Sequence, residues 1–188
     1  MKRLAMFVAG ILLAGAISVA PAAAQHIQRA DRIVLSGSAG QERILKEVGH
    51  ELVTLPYYGV FDDLEYSVDG STVTLMGRVT RPTLKSDAGN AVKHIEGVER
   101  VDNQIEVLPL SPMDDRIRVA EYHAIYGHPG LDRYALQAVP PIHIIVKSGH
   151  VALVGIVASQ GDRDLAGIRA NTVSGVFSVD NKLRVEEK

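Results

Sequence analysis

Apolar residues recur along this chain in two rhythms, helical spacing and strict alternation, and the order of the rhythms repeats. Ile44, Leu45, Val48 and Leu52 fall at helical spacing, which predicts a helix over residues 41–53 with one apolar face. Ser38 and Gln41 in front of it fit a capping box, in which two side chains satisfy free backbone amides at the helix start. Pro56 and Gly59 then break the chain. Leu64, Tyr66 and Val68 alternate with polar residues, Asp69-Gly70 turns the chain, and Val73, Leu75 and Val79 return along a second strand. Pro82 lies near the start of a second helix, with Ala88, Val92 and Ile95 on its apolar side and Gly97 at its C-cap. The set Val101, Asn103, Ile105 and Val107 alternates as a third strand. Residues 41–108 therefore read as helix, strand, strand, helix, strand.

The same pattern is written again. Residues 71–107 lie on residues 149–185 without a gap, with 12 identities in 37 positions. Val73, Leu75, Gly77 and Val79 fall on Val151, Leu153, Gly155 and Val157; Ala88-Gly89 on Ala166-Gly167; Val101-Asp102-Asn103 on Val179-Asp180-Asn181. A fixed offset that keeps glycines and apolar positions together means two copies of one folding unit. The second unit, residues 112–188, opens on a helix capped by Ser111, with Pro112 at its first position and Asp114-Asp115 in its first turn. Ile117, Ala120 and Ala124 line one face of that helix, and Val119, Tyr122 and Tyr126 line another. A helix apolar on two faces must touch something besides its own sheet. Residues 127–141 are an insertion, followed by the strand Ile142 to Val146 and a Ser148-Gly149 turn. The fold class is α+β: two tandem αββαβ units, each a small three-stranded sheet packed against two helices. The connection Leu108-Pro109-Leu110-Ser111-Pro112 is short and stiff, so the units are expected to lie close together.

Three glycine pairs stand at equivalent places. Gly77 and Gly155 interrupt strands, which marks a bulge or a backbone closely approached by the helix above. Gly89 and Gly167 sit inside helices at a cost of about 1 kcal/mol each against alanine, a sign of close packing on the sheet or the other unit. Gly97 and Gly175 read as helix C-caps.

The chain begins Met1-Lys2-Arg3, runs apolar from Leu4 to Val19 and closes on Pro21-Ala22-Ala23-Ala24. A basic start, an apolar core and small residues make residues 1–24 a signal peptide; a spanning anchor would need about 20 apolar residues, and this run is shorter. Residues 25–40, Ser/Gly-rich at their end, read as a flexible linker. The chain has no cysteine, which excludes lipidation at a cysteine, disulfides and thiolate metal sites. The expected address is the periplasm or beyond the cell, without a lipid anchor. The formal charge of −2 becomes −4 once Lys2 and Arg3 are removed, so no basic stripe points to nucleic acid. Residues 41–107 carry 12 acids and 7 bases, and residues 112–188 carry 9 of each, so the second unit is the one suited to an anionic surface.

Candidate chemistry is sparse. No nucleophile elbow, phosphate loop or metalloprotease motif occurs, so no catalytic residue, cofactor or small-molecule substrate is expected. Asp62-Asp63 beside a turn and Asp114-Asp115 at a helix start suit solvated roles. Asn103 and Asn181 are expected to satisfy local backbone groups rather than hold a metal or sugar. His123, His128, His143 and His150 have spacings that match no zinc-ligand pattern, so no metal is expected; imidazoles as a class titrate near pH 6–7, which would turn this half basic. Tyr57, Tyr58, Val60 and Phe61 form an unusually apolar loop. That loop, together with Arg116, Arg118, Tyr122 and Tyr126 of the second unit's helix, suits a lipid headgroup boundary; the alternative is that these side chains bury the interface between the units. Phe177, which replaces Glu99 of the first copy, is a further aromatic candidate for lipid or partner contact.

The pattern Gly70-x-x-Val73-x-Leu75-x-Gly77-x-Val79 with Ala88 and Gly97-Val98-x-x-Val101-x-Asn103 resembles the BON domain. It recurs as Gly149-x-Val151-x-Leu153-x-Gly155-x-Val157 with Ala166 and Gly175-Val176-x-x-Val179-x-Asn181, so the resemblance spans both units. It implies a periplasmic two-module protein of the osmotically inducible kind, without catalysis, that binds phospholipid or envelope components in osmotic or envelope stress. Chaperone-like binding of client or partner proteins is the alternative that it implies.

Overall fold

The computed structural model describes residues 28–29 and 39–186. The expected signal peptide, Ser38 of the expected capping box and most of the expected linker lie outside the described residues. In the first unit, α1 (Ala39–Val53) precedes the hairpin β2 (Asp63–Asp69) and β3 (Thr72–Val79), then α2 (Pro82–Lys93) and the strands β4 (Arg100–Asn103) and β5 (Glu106–Val107). The two-residue strand β1 (Gln28–Arg29) pairs antiparallel with β2 at Tyr66 and Glu65. In the second unit, α3 (Pro112–Tyr126) and a 3-10 helix (Asp132–Leu136) precede the hairpin β6 (Ile142–Lys147) and β7 (His150–Val157), then α4 (Gln160–Ala170) and β8 (Ser178–Val185). In both units the hairpin is antiparallel, and the helix that follows carries the chain back to pair the third strand parallel to the second.

The third strand is continuous in the second unit and broken in the first. At the break the Gln104 N–H donates to the Leu75 carbonyl at 2.8 Å, and the ladder resumes with Glu106 opposite Arg78. Each sheet carries its helices on one face, over a core of its own. Leu45, Val48, Leu52, Leu64, Val73, Leu75, Ala88 and Val92 belong to the first core; Ile117, Ile125, Ile142, Ile144, Leu153, Ala166 and Leu183 belong to the second. Gln41 donates its side-chain amide to the Val68 carbonyl and ties α1 to β2.

The glycines differ in part from expectation. Gly77 has φ +107° and Gly155 φ +130°, and the backbone that crowds them belongs to the neighbouring strand rather than to a helix. A Cβ on Gly77 would lie 2.1 Å from the Asp63 carbonyl oxygen, and one on Gly155 1.8 Å from that of Pro141. Gly97 and Gly175 are not C-caps; His94 and Asn171 hold those places. The two glycines instead occupy the third position of a tight turn, with φ near +90° and Val98 N–H donating to the Ile95 carbonyl, the geometry that favours glycine there.

Inside the helices, a Cβ on Gly89 would meet Asn103 Nδ2 at 2.8 Å and one on Gly167 would meet Asn181 Nδ2 at 2.7 Å. Each asparagine spends its amide on local backbone. Asn103 donates to the Lys85 carbonyl and accepts from the Ile105 N–H; Asn181 does the same with Arg163 and Leu183. The helix glycine makes room for the strand asparagine, and the asparagine bolts helix to strand. Replacing Asn181 with alanine is expected to cost about 1–3 kcal/mol, because it strands a carbonyl and an amide. Urea denaturation measures this, and an unchanged midpoint would mean that the helix and strand hold without it.

The two units pack together. Val60, in the apolar loop of the first unit, accepts a hydrogen bond from the Ile144 N–H at 2.8 Å on the outer edge of β6. Leu108, from the connection, packs with Ile145, Ala152 and Val154 on the helix-free face of the second sheet. Lys147 pairs with Glu106 across the same seam. Strand β6 is thus buried on both faces, which explains its nearly unbroken apolar run.

Candidate functional site

The side chains singled out for lipid or partner contact separate into three groups. Tyr58, Phe61 and Tyr122 lie at the seam between the units. Tyr58 stacks on the His143 ring at a centroid distance of 5.5 Å, and Phe61 meets the Tyr122 ring edge-on at 6.4 Å while packing against the second core. Arg118 and Tyr126 are buried, which removes them from any outer surface. Arg118 spans from the Asp115 carboxylate to the Val146 carbonyl, and the Tyr126 hydroxyl donates to the Ile142 carbonyl and accepts from the Ile142 N–H. Burial pushes the Tyr126 hydroxyl well above its ordinary range, so it stays protonated. Tyr57, Arg116 and Phe177 remain at the surface. Tyr57 is 71% exposed with the Arg81 guanidinium 4.9 Å above its ring, and Phe177 is 83% exposed.

Helix α3 positions Arg116 and departs from the expected faces. Its buried side chains are Asp114, Ile117, Arg118, Glu121, Ile125 and Tyr126. Ala120 and Val119, placed by spacing on apolar faces, instead share an open outward surface with Arg116 and His123. Met113 is 60% exposed one turn earlier on the helix. The spacing Arg116, Val119, Ala120, His123 was legible as an outer stripe, but Val119 also fits a second apolar face with Tyr122, and only packing separates the two. At the tip of the second unit, the α4–β8 connection meets the β6–β7 turn. Phe177 N–H donates to the Gly149 carbonyl at 2.8 Å, and the His150 ring sits 5.6 Å from that of Phe177.

Of the paired acids, Asp62, Asp63 and Asp114 are buried and structural rather than solvated, while Asp115 stays exposed. Asp62 accepts from the Thr80 N–H, the Thr80 hydroxyl and the Gly59 N–H, and Asp63 is buried at the start of β2. Asp114 accepts from the Ser148 and Gly149 N–H groups at 2.9 and 2.8 Å, bracing the β6–β7 turn. Burial pushes its carboxyl up, but those two N–H groups, the Ser111 hydroxyl and Arg118 outweigh it and hold it below the usual range. Asp162 ties the insertion to α4: it accepts from Arg133, the Tyr134 hydroxyl and Ser159, which together outweigh burial and lower its carboxyl.

The histidines do not form one surface. His143 is buried at the seam, His123 and His150 are exposed at different places, and His128 is half-buried. No three histidines or acids among the described residues are grouped to hold a metal ion. His150 Nδ1 lies 2.8 Å from the Ser178 hydroxyl, but on the exposed face of the sheet rather than in an enclosed site. No helix among the described residues is long and apolar enough to cross a membrane.

The osmotically-inducible protein Y of Escherichia coli (strain K12) is 30% identical over 135 residues, covering 66% of this chain and 62% of that protein, so the match spans less than two thirds of the relative's length. A solved structure of CdsD, a structural protein of the type III secretion system of Chlamydia trachomatis, aligns over 77% of this chain and 94% of its own at 12% identity, with a TM-score of 0.29. The C-terminal domain of CdsD aligns over 81% and 100% at 10% identity, with a TM-score of 0.28. The BON domain matches residues 41–109, taking in α1, and residues 131–187, starting beyond α3. With both matches falling on the repeated units, the chain belongs to the BON domain family.

Proposed function

We propose that this protein is a non-catalytic module of the periplasm that contacts phospholipid surfaces through its second unit and serves in osmotic or envelope stress. The observation that carries the reading is the pairing of exposed apolar side chains with basic ones on that unit. Phe177 and Met113 stand largely in solvent, and Arg116 shares the outward face of α3 with Val119. Aromatic and aliphatic side chains insert at the acyl boundary while an arginine meets headgroup phosphates. Similarity to an osmotically inducible protein supports the setting. The rival role, capture of client or partner proteins by the apolar loop 57–61, has less surface to work with, because the second unit already covers Tyr58, Val60 and Phe61.

The chain from Gln25 onward, mixed with anionic and with neutral vesicles and sedimented, tests this. Adsorption to anionic vesicles is expected to fall severalfold in Phe177→Ser and in Arg116→Ala and to weaken as salt rises, since charge attraction to the headgroups is screened. Adsorption unaffected by both substitutions would overturn the proposed face, and suppression of client aggregation without any lipid binding would favour the rival role.

A further inference from the structure

Helices α1 and α3 take the same place in the two units. A Cβ on Gly97 would meet Ile44 Cδ1, and one on Gly175 would meet Ile117 Cδ1, so Ile44 and Ile117 are equivalent. Leu45, Val48 and Leu52 then correspond to Arg118, Glu121 and Ile125. All three positions are buried in both units, but in the second unit two of them carry charge-bearing side chains. Arg118 has found Asp115 and the Val146 carbonyl. Glu121 has found nothing: it is 0% exposed, and neither carboxyl oxygen has a hydrogen-bond partner. The family match takes in most of α1 but begins beyond α3.

The elements packed against α3 offer no counter-charge. Strand β6 turns Ile142, Ile144 and Val146 to the core and His143 and Lys147 to the other face. Helix α4 contributes Ala166 and Ala170, while its Arg169 donates to the Ala124 carbonyl and its Asp162 is bonded to Arg133, Tyr134 and Ser159. The 3-10 helix brings Tyr134, whose hydroxyl is committed to Asp162 and the Ala158 N–H. On α3 itself, Asp114 is held by the β6–β7 turn and Tyr126 by Ile142, and Tyr122 packs on Phe61. The buried Arg118, one turn before Glu121, directs its two terminal nitrogens to Asp115 and the Val146 carbonyl, leaves its Nε unpaired and makes no hydrogen bond to Glu121. From β7 and β8 the core receives Val151, Leu153, Val157 and Leu183. A carboxylate in that setting carries an uncompensated desolvation cost, whereas a carboxylic acid carries a much smaller one.

We propose that α3 is a proton-latched helix, docked on the second sheet while Glu121 is protonated and released, with the rest of the chain still folded, when that carboxyl ionises. Burial pushes the carboxyl up from its ordinary 4.5 to about 8. The docked form thus keeps its proton up to about pH 8, while the released form loses it near 4.5. Between those limits the release equilibrium rises about tenfold per pH unit, and above them it levels off. Acid locks the helix, and neutral or alkaline conditions loosen it. Release frees an amphipathic segment bearing Ile117, Ile125 and both arginines and uncovers Ile142, Ile144 and Val146.

Hydrogen exchange of the chain from Gln25 onward, followed by mass spectrometry from pH 5.5 to 7.5 and corrected for intrinsic rates, tests this. Amides of residues 117–126 are expected to lose about a hundredfold in protection relative to those of α1 across that range. Glu121→Gln keeps the shape and cannot ionise, so it is expected to abolish the slope. The proposal is overturned if α3 follows α1 across the range, if the slope survives in Glu121→Gln, or if β6, β7 and β8 lose protection by the same factor as α3.

Discussion

Replacing Gly155 with alanine is expected to destabilise the second unit by about 3 kcal/mol or more, enough to unfold it at moderate urea while the first unit persists. Two independent penalties meet at this residue. A φ of +130° lies where L side chains rarely go, and the new Cβ would stand 1.8 Å from the Pro141 carbonyl oxygen. That oxygen belongs to backbone entering β6, so it cannot swing aside as a flexible side chain could. Relief requires β6 to shift, and β6 is pinned by its ladder to β7, by the Tyr126 hydroxyl at Ile142 and by Val60 at Ile144. Gly161→Ala is the control: it lies in the first turn of α4, with only the Ser159 hydroxyl nearby at 3.7 Å, and is expected to be neutral or slightly stabilising. A loss below about 1 kcal/mol in Gly155→Ala would mean that the strand entry is free to move.

Replacing Glu121 with valine, the residue at the equivalent place in the first core, is expected to raise the stability of the second unit by about 3 kcal/mol at pH 7. The sign follows from linkage. The folded carboxyl, raised to about 8, keeps its proton where the unfolded one, near 4.5, has lost it. The folded state therefore binds more protons between those values, and stability falls as pH rises through the window. The gain from valine should shrink toward pH 4.5 and be largest near pH 8 and above. Urea midpoints of both proteins at pH 4.5, 6, 7 and 8.5 measure this, and parallel curves would show that Glu121 ionises freely in the folded state.

These two residues mark the boundary between what pattern reveals and what it hides. Gly155 was conspicuous in the sequence, because the repeat places a glycine in mid-strand twice. Its cause was not, since a pattern of one strand does not say which neighbour crowds it. Glu121 was invisible for a plainer reason. Hydrophobic periodicity counts a glutamate as solvent-facing, so the stripe of α3 was assigned to Ile117, Ala120 and Ala124 rather than to Ile117, Glu121 and Ile125. Arg118 was read as a surface cation on the same ground, although it is buried, with its two terminal nitrogens on Asp115 and the Val146 carbonyl.

The sequence by itself determined the repeat, the α+β class, the order of elements in each unit and the hairpin turns. These depend on interactions near in sequence or on apolar spacing that any fold of this chain must respect. The tertiary structure decided the rest: that Tyr58, Val60 and Phe61 of the apolar loop meet the second unit while Tyr57 stays in solvent, that Tyr122 sits at the seam while Phe177 is exposed, and that a carboxyl lies in the second core. Each of these turns on which surfaces meet once both units are formed. Burial is a property of the assembled surfaces, and a side chain's own polarity does not carry it.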